Sequence, residues 1–396
     1  MAGPLDGIKI LESTTMITGP LAGQMLGDLG AEITKVETPK GGDLFRTFRG
    51  GTYSPYFCAY NRNKKSVALD LRDDQGLDIY KKLVREADVL IENFRPGVMD
   101  RLGLSSDVLK ALNPRLIQCS ITGFGPDGPY KKRPAYDTVA QALSGMSSLF
   151  LGDDAQITGP TLSDNLTGIF ACYGIQGALL ERERTGVARR VEVNMLDSSI
   201  AFMPDPFLNA SLLGIEPGPL MRVKASQSYA VRCADNKMIA IHMSSQEKFW
   251  KAMQVSFERE DLGTDPRFDD RVKRIDNYLE LAQEFRATAA TKASTYWMQR
   301  LEENDVPHAP VNTLPEVYED PQVKHLDTFV TITHPEHGSY TGTRRPVYFD
   351  GSRGDQNLNP PPDLNEQGEE VLKSLGLSDD EIGTWNAHNK KLVSGA

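Results

Sequence analysis

The chain has 396 residues, enough for two domains and a large core, and 39% of them are hydrophobic and 25% charged. That balance is an ordinary globular one, and no apolar run reaches the length of a membrane span. A formal net charge of -10 excludes a general nucleic-acid binder and leaves local basic clusters to hold any anionic ligand.

The four cysteines, Cys58, Cys119, Cys172 and Cys233, are scattered singly, as reduced core thiols of a cytoplasmic protein would be. The start, Met1-Ala2-Gly3-Pro4, lacks a charged-then-apolar export pattern, which agrees with that expectation. Ile8–Glu12 reads as a strand, followed by the turn Thr18-Gly19-Pro20 and a helix through Leu21, Met25 and Leu26 to Gly30. Ala31–Glu37 is a second strand, and this order predicts a right-handed crossover in a parallel sheet. A long polar loop runs from Gly41 to Gly51. Strands at Ser66–Leu71, Asp88–Glu92, Leu116–Ile121 and Arg190–Met195 alternate with helices at Asp74–Glu86, after Ser105–Ser106, and at Thr138–Leu143. The first half is therefore an α/β, Rossmann-like doubly wound domain.

The pattern changes after about residue 200. Strands at Tyr229–Arg232 and Met238–His242, with charged helical stretches at Ser245–Ser256 and Asn277–Ala289, predict a smaller α+β domain. The proline-rich stretches Pro307–Pro310 and Pro346 to Pro362 read as connectors, and Glu366–Leu375 and the residues after Leu377 as helices. The expected organisation is a large domain beginning with residues 1–200, a linker at 201–225, a small domain at 226–325, and a return to the large domain at 326–396.

The stretch from Gly159 to Gly168 organises the rest. Pro160 ends what precedes it, Ser163 and Asp164 are good N-caps, and a helix follows from about Asn165 to Arg184. Leu166, Ile169, Tyr173 and Leu180 recur as one helical face. Gly168, Gly174 and Gly177 each cost about 1 kcal/mol against alanine, which predicts the close approach of another backbone. Asp164 lies where the helix dipole favours an anion and helps keep its carboxylate ionised. Taken alone, the stretch makes Asp164 a cap.

Gly123-Phe124-Gly125-Pro126-Asp127-Gly128 spells a dinucleotide fingerprint, but Pro126 and Pro129 keep a helix from starting inside it. His334-Pro335-Glu336-His337 lacks the helical i,i+4 spacing and an obvious third ligand, so it reads as a surface turn and no metal is expected. Lys131-Lys132-Arg133 is either a solvated face or a phosphate contact, and His242, among apolar neighbours, is structural.

Collinear motifs then add a resemblance. Pro4–Glu12, Gly19-Pro20, Leu29–Glu37, Gly42-Asp43 with Arg46, Asn63–Ser66, Glu92–Gly97, Gly123–Gly125 with Gly128-Pro129, Arg133–Asp137, Val191–Asp197, Val306–Val311 and Leu372–Leu377 resemble the class III CoA-transferase family. That family includes formyl-CoA:oxalate and carnitine CoA-transferases and the related α-methylacyl-CoA racemases, and the similarity covers nearly the whole chain.

The resemblance implies an acyl-CoA:carboxylate CoA-transferase in which Asp164 is the nucleophile, passing through an aspartyl anhydride and an aspartyl-CoA thioester. Coenzyme A and acyl-CoA are then substrates, and no permanently bound cofactor is implied. Met16, Ile17, Leu69, Arg72, Asn93, Phe94 and Arg101 fall at the family's CoA-contacting positions. Tyr136 and Asp137 fall at the substrate. Thr38 stands where the family has a basic residue, with Lys40 close by to compensate. No glycine-rich loop matches near Lys224–Ser228, which disfavours oxalate as acceptor. Tyr136 replaces the racemase histidine, which favours transfer over epimerisation. An α-methylacyl-CoA racemase-type epimerase and a non-catalytic acyl-CoA binding protein are the alternatives. The expected partners are acyl-CoA and a carboxylic acid, with no nucleic acid and no membrane, and an interlocked homodimer is implied.

Overall fold

Alternating burial in the first strand sets the layers of the larger unit. In β1 (Lys9–Ser13) Ile10 points to one face of a sheet and Leu11 to the other, and both are buried. The strands β2 (Glu32–Glu37), β3 (Lys64–Ala68), β4 (Val89–Glu92), β5 (Ile117–Thr122) and β6 (Arg190–Asn194) join it in the order β3-β2-β1-β4-β5-β6, every pair parallel. A parallel sheet must be covered on both faces. On one face Ile10, Ile33, Val89 and Ile117 pack with Leu26, Ala171, Cys172 and Ile175. On the other, Leu11, Val67 and Leu90 pack with Tyr80, Leu83, Leu372 and Trp385. The structure, a computed structural model, describes residues 3–49, 51–151, 156–157, 159–244, 246–353 and 358–394.

The strand order reverses between β1 and β4, and in doubly wound sheets ligands bind beyond the carboxyl ends of the strands at such a point. This unit comprises Met1–Ser147, Gly159–Pro204 and Asp327–Ala396. Its last segment returns to the edge strand β3. The Ser66 and Ala68 N–H groups donate to Gln367 Oε1 (3.0 Å) and Asn365 Oδ1 (2.9 Å).

The second unit, Ser148–Thr158 with Asp205–Leu326, is built on an antiparallel sheet of β7 (Ser228–Arg232), β8 (Met238–His242) and β9 (His308–Pro310). Trp250, Phe257, Phe285 and Trp297 fill its core. The expected connector at Pro307–Pro310 is thus partly a strand. It occupies the sheet edge, where proline's missing N–H leaves no gap in the ladder. The predicted helices appear as Glu247–Ser256 and Tyr278–Ala289, and Ser245 lies outside the described residues.

The helix carrying Asp164 spans Ser163–Thr185 and ends on Gly186 in the left-handed conformation (φ 75°). The face picked out by the apolar spacing is not the buried one. Ile169, Tyr173 and Leu180 are exposed, while Thr167, Gly168, Ala171, Cys172, Ile175 and Leu179 face the core. Small residues let this helix approach helix Thr18–Gly27 closely: a Cβ on Gly168 would lie 2.8 Å from the Thr18 carbonyl oxygen. Gly174 faces the Val191 side chain instead, and a Cβ on Gly177 would meet nothing within 4 Å.

Candidate active site

Five chain segments converge beyond the carboxyl ends of β1, β4 and β5. Thr15–Thr18 follows β1, Asn93–Pro96 follows β4, and Gly123–Gly125 follows β5, with Ala135-Tyr136 and Asp164 closing the group. They surround a cavity of about 240 Å³, also lined by Leu44, Lys131, Arg133 and Met195. Asn93 fastens the first two segments across the switch point. Its Oδ1 accepts the Thr15 N–H at 3.0 Å, and its Nδ2 donates to the Thr15 carbonyl at 2.9 Å and to Thr18 Oγ1 at 3.2 Å.

Asp164 lies within the first turn of its helix and is not the cap. Leu162 holds the cap position and makes no side-chain bond there. Asp137 fills that role from another element: its Oδ1 accepts the Asp164 N–H at 3.1 Å, and its Oδ2 accepts Gln141 Nε2 at 2.6 Å. The expectation that the dipole keeps Asp164 readily ionised is outweighed. Burial in the cavity wall, and then the Asp137 charge, push its carboxyl from 3.8 up to about 7. Tyr60, at the end of helix Pro55–Tyr60, is a further neighbour. Burial raises its phenol despite a hydrogen bond with Asn165, and Asp164 and Asp137 add to the rise.

Of the residues expected at the site, Met16, Ile17, Asn93, Phe94, Tyr136 and Asp164 line this cavity, and Asp137 contacts Asp164. Leu69, Arg72 and Arg101 do not line it. Leu69 is buried just beyond β3. Arg72 is exposed and forked onto Asp70, Nε–Oδ1 2.9 Å and Nη2–Oδ2 2.8 Å. Arg101 is exposed at the end of the short helix Val98–Arg101. Sequence reading did not single out Arg95, Leu44 or Tyr60. Arg95 sits inside the quoted Glu92–Gly97 motif, whereas Tyr60 carries no pattern that separates it from a core aromatic. Arg95, Lys131 and Arg133 form no ion pair among the described residues, and the Arg133 guanidinium lies 4.4 Å from the Tyr130 ring centre.

The two other motifs resolve differently. Gly123–Gly128 launches no helix. A Cβ on Gly123 would collide with Ala135, 2.2 Å from its Cβ, so that glycine lets two cavity segments touch. His334 and His337 flank the turn of a hairpin between strands Phe329–His334 and Gly338–Thr343, and His334 is buried. With Asp363 they form a close trio. His334 Nδ1 accepts the N–H groups of Glu336 (3.1 Å) and His337 (3.3 Å), which places the ring proton on Nε2. His334 Nε2 then lies 3.8 Å from Asp363 Oδ2, beyond hydrogen-bond reach, and it is His337 Nε2 that meets Asp363 Oδ1, at 2.9 Å, so the fold brings up the third group that the sequence spacing lacked.

Comparison with known proteins shows the family of the chain. The profile of CoA-transferase family III matches residues 5–368. An acetyl-CoA:oxalate CoA-transferase of Acetobacter aceti is 34% identical over 379 residues, 94% of this chain and 96% of the relative. A succinyl-CoA:glutarate CoA-transferase of Mus musculus is 32% identical over 94% of this chain and 86% of its own. The crystal structure of a CAIB/BAIF family protein from Brucella suis superposes with a TM-score of 0.81 at 31% identity, covering 95% of this chain and 100% of that one. With a match that runs through both the switch-point loops and the Asp164 helix, the chain belongs to CoA-transferase family III.

Proposed function

We propose that this protein moves coenzyme A from an acyl-CoA thioester to a free carboxylic acid, with Asp164 as the nucleophile. The observation that carries the reading is the half-buried Asp164 carboxylate in the switch-point cavity, beside loops at the family's CoA-contacting positions and three cations that have no acidic partner among the described residues. The ionised Asp164 attacks the thioester carbonyl, the C–S bond breaks, and the CoA thiolate leaves behind an acyl-aspartyl anhydride. The thiolate then attacks the Asp164 carbonyl, releasing the first acid as its carboxylate and forming an aspartyl-CoA thioester. The acceptor carboxylate attacks that thioester, and the expelled thiolate returns to the acceptor's acyl carbon, freeing Asp164. Carboxylate is required, because serine would retain an ester that cannot return CoA in this way.

Arg95, Lys131 and Arg133 supply the positive charge that the phosphates of CoA need on an acidic protein. The exposed Ile169, Tyr173 and Leu180 supply an apolar face for a second copy of the chain. The family resemblance extends that pairing to an interlocked homodimer.

Incubation with acyl-CoA and hydroxylamine should convert Asp164 to its hydroxamate, and Asp164→Ala should abolish both the adduct and transfer. Near-wild-type turnover in that variant would remove Asp164 as nucleophile. In deuterated water without acceptor, a single-epimer 2-methylacyl-CoA should gain no α-deuterium; rapid exchange would favour epimerisation.

A further inference from the structure

A layer of buried charge lies under the Thr14–Ile17 turn, and the transfer steps make no use of it. Glu12, Lys35, Asp43 and Lys64 are all buried. Lys35 Nζ lies 2.9 Å from Glu12 Oε1 and 2.9 Å from Asp43 Oδ2, and it donates to the Thr14 carbonyl at 2.8 Å. Lys64 Nζ meets Glu12 Oε2 at 2.8 Å and donates to the Pro20 carbonyl at 2.8 Å. The two ammoniums thus grip the chain on either side of the cavity loop. Thr14 Oγ1 adds a bond to Glu12 Oε1 at 2.9 Å.

Asp43 is the member that reaches the cavity wall. Its Oδ1 accepts the N–H groups of Met16 (3.1 Å) and Phe45 (2.9 Å). Its own N–H donates to Glu37 Oε2 at 2.8 Å, and Glu37 is in turn forked by Arg46 at 2.7 Å through Nε and 2.7 Å through Nη2. Met16 has φ 68°, a left-handed conformation that a side chain of its size seldom adopts. Such a residue stays there only where its surroundings over-determine it. Burying this many charges is an inefficient route to stability, since well-packed apolar side chains do as well. Position is what the network supplies.

We infer that Asp43, held by Lys35, is a positioning residue for transfer. It fixes the left-handed turn at Met16, and through it the placement of the reacting carbonyl against Asp164. This rests on the reading of Asp164 as nucleophile. The carbonyl is presented by a loop whose backbone has one supported conformation, and that conformation is set by a carboxylate which itself never meets the substrate.

The test is Asp43→Asn, an isosteric change that keeps an acceptor for Met16 while turning an amide N–H₂ toward Lys35. The expected result is a folded protein with kcat lowered about tenfold or more, in line with small misplacements of reacting groups. The KM for acyl-CoA should stay within about threefold, because the phosphate contacts lie elsewhere. Hydroxamate formation at Asp164 should slow in proportion to kcat. An unchanged kcat, or a loss confined to KM, would overturn the inference. If Asp43→Asn does not yield folded protein, Thr14→Val carries the test by removing the Glu12 bond at the base of the same turn. Slower turnover at constant KM supports the inference, and unchanged kcat overturns it. Asp164→Ala separates the two readings. An active Asp164→Ala defeats the nucleophile assignment, whereas an inactive one beside a fully active Asp43→Asn defeats only the positioning role.

Discussion

The Asp164 N–H donates to the Asp137 carboxylate at 3.1 Å, so the helix that presents one carboxylate is capped by another from a different element. The bond holds the helix start in place and also sets a like charge beside Asp164. Capping and ionisation therefore pull in opposite directions at this one contact.

Asp164→Asn should stabilise the protein above neutral pH. The folded carboxyl titrates near 7, against 3.8 for the ordinary group. The native state thus binds more protons than the unfolded state between those values, and Asp164's contribution is fully present below 3.8 and lost as pH rises through about 7. The variant's advantage should be absent near pH 4 and reach about 1–2 kcal/mol above pH 7, discounted for partial exposure. Denaturant titrations at both pH values check this; an advantage at pH 4 as large as at pH 8 would refute it.

The kcat/KM for acyl-CoA should fall as pH drops through about 7, because the attacking group must be ionised. Asp137→Asn removes the second cause of the shift and leaves burial, the first. Its acid limb should move to lower pH yet stay above the ordinary carboxylate range. A limb that does not move, in a variant of normal fold, would exclude coupling between the pair.

Two glycines of the same helix should respond with opposite signs. Gly168→Ala places a Cβ 2.8 Å from the Thr18 carbonyl oxygen and 3.0 Å from Leu21 Cβ, and should cost about 1–3 kcal/mol. Gly177→Ala meets nothing within 4 Å of its own chain and, measured on the single chain because Gly177 shares the exposed face of Tyr173 and Leu180, should gain about 0.5–1 kcal/mol from helix propensity. Melting of the two variants under one condition checks both.

Arg95→Ala and Arg133→Ala should each raise the KM for acyl-CoA about tenfold, the loss of one charge-assisted phosphate bond. Arg72→Ala should do less, because that guanidinium is already committed to Asp70. Michaelis constants at low and moderate salt would show it, since screening narrows the difference. A larger effect at Arg72 would move the phosphate path toward β3.

The sheet was legible because parallel strands buried on both faces leave short apolar runs between helices, as at Ile8–Glu12 and Asp88–Glu92. On the Asp164 helix the apolar spacing did not mark the buried side. Leu166, Ile169, Tyr173 and Leu180 have the right spacing, but close packing against Thr18 selected the face bearing Gly168, Ala171 and Cys172. Pro307 and Pro310 disguised the edge strand His308–Pro310. At the site, the residues around Asp164 taken alone made it only a cap, and the nucleophile reading came from the family resemblance of the collinear motifs. Its pairing with Asp137, its nearness to Tyr60 and the burial of Lys35 and Lys64 depend on the fold, and no local pattern encodes them.

The return of the C-terminal segment to β3 has a bearing on the order of synthesis. The N–H groups of Ser66 and Ala68 wait for the side chains of Gln367 and Asn365, about 300 positions further along the chain. While the ribosome is still translating the second unit, the first has every strand of its sheet but an open margin at β3. An open margin of this kind pairs readily with other strands. The nascent protein therefore carries its greatest risk of wrong association from the synthesis of β3 until the segment around Asn365 and Gln367 emerges.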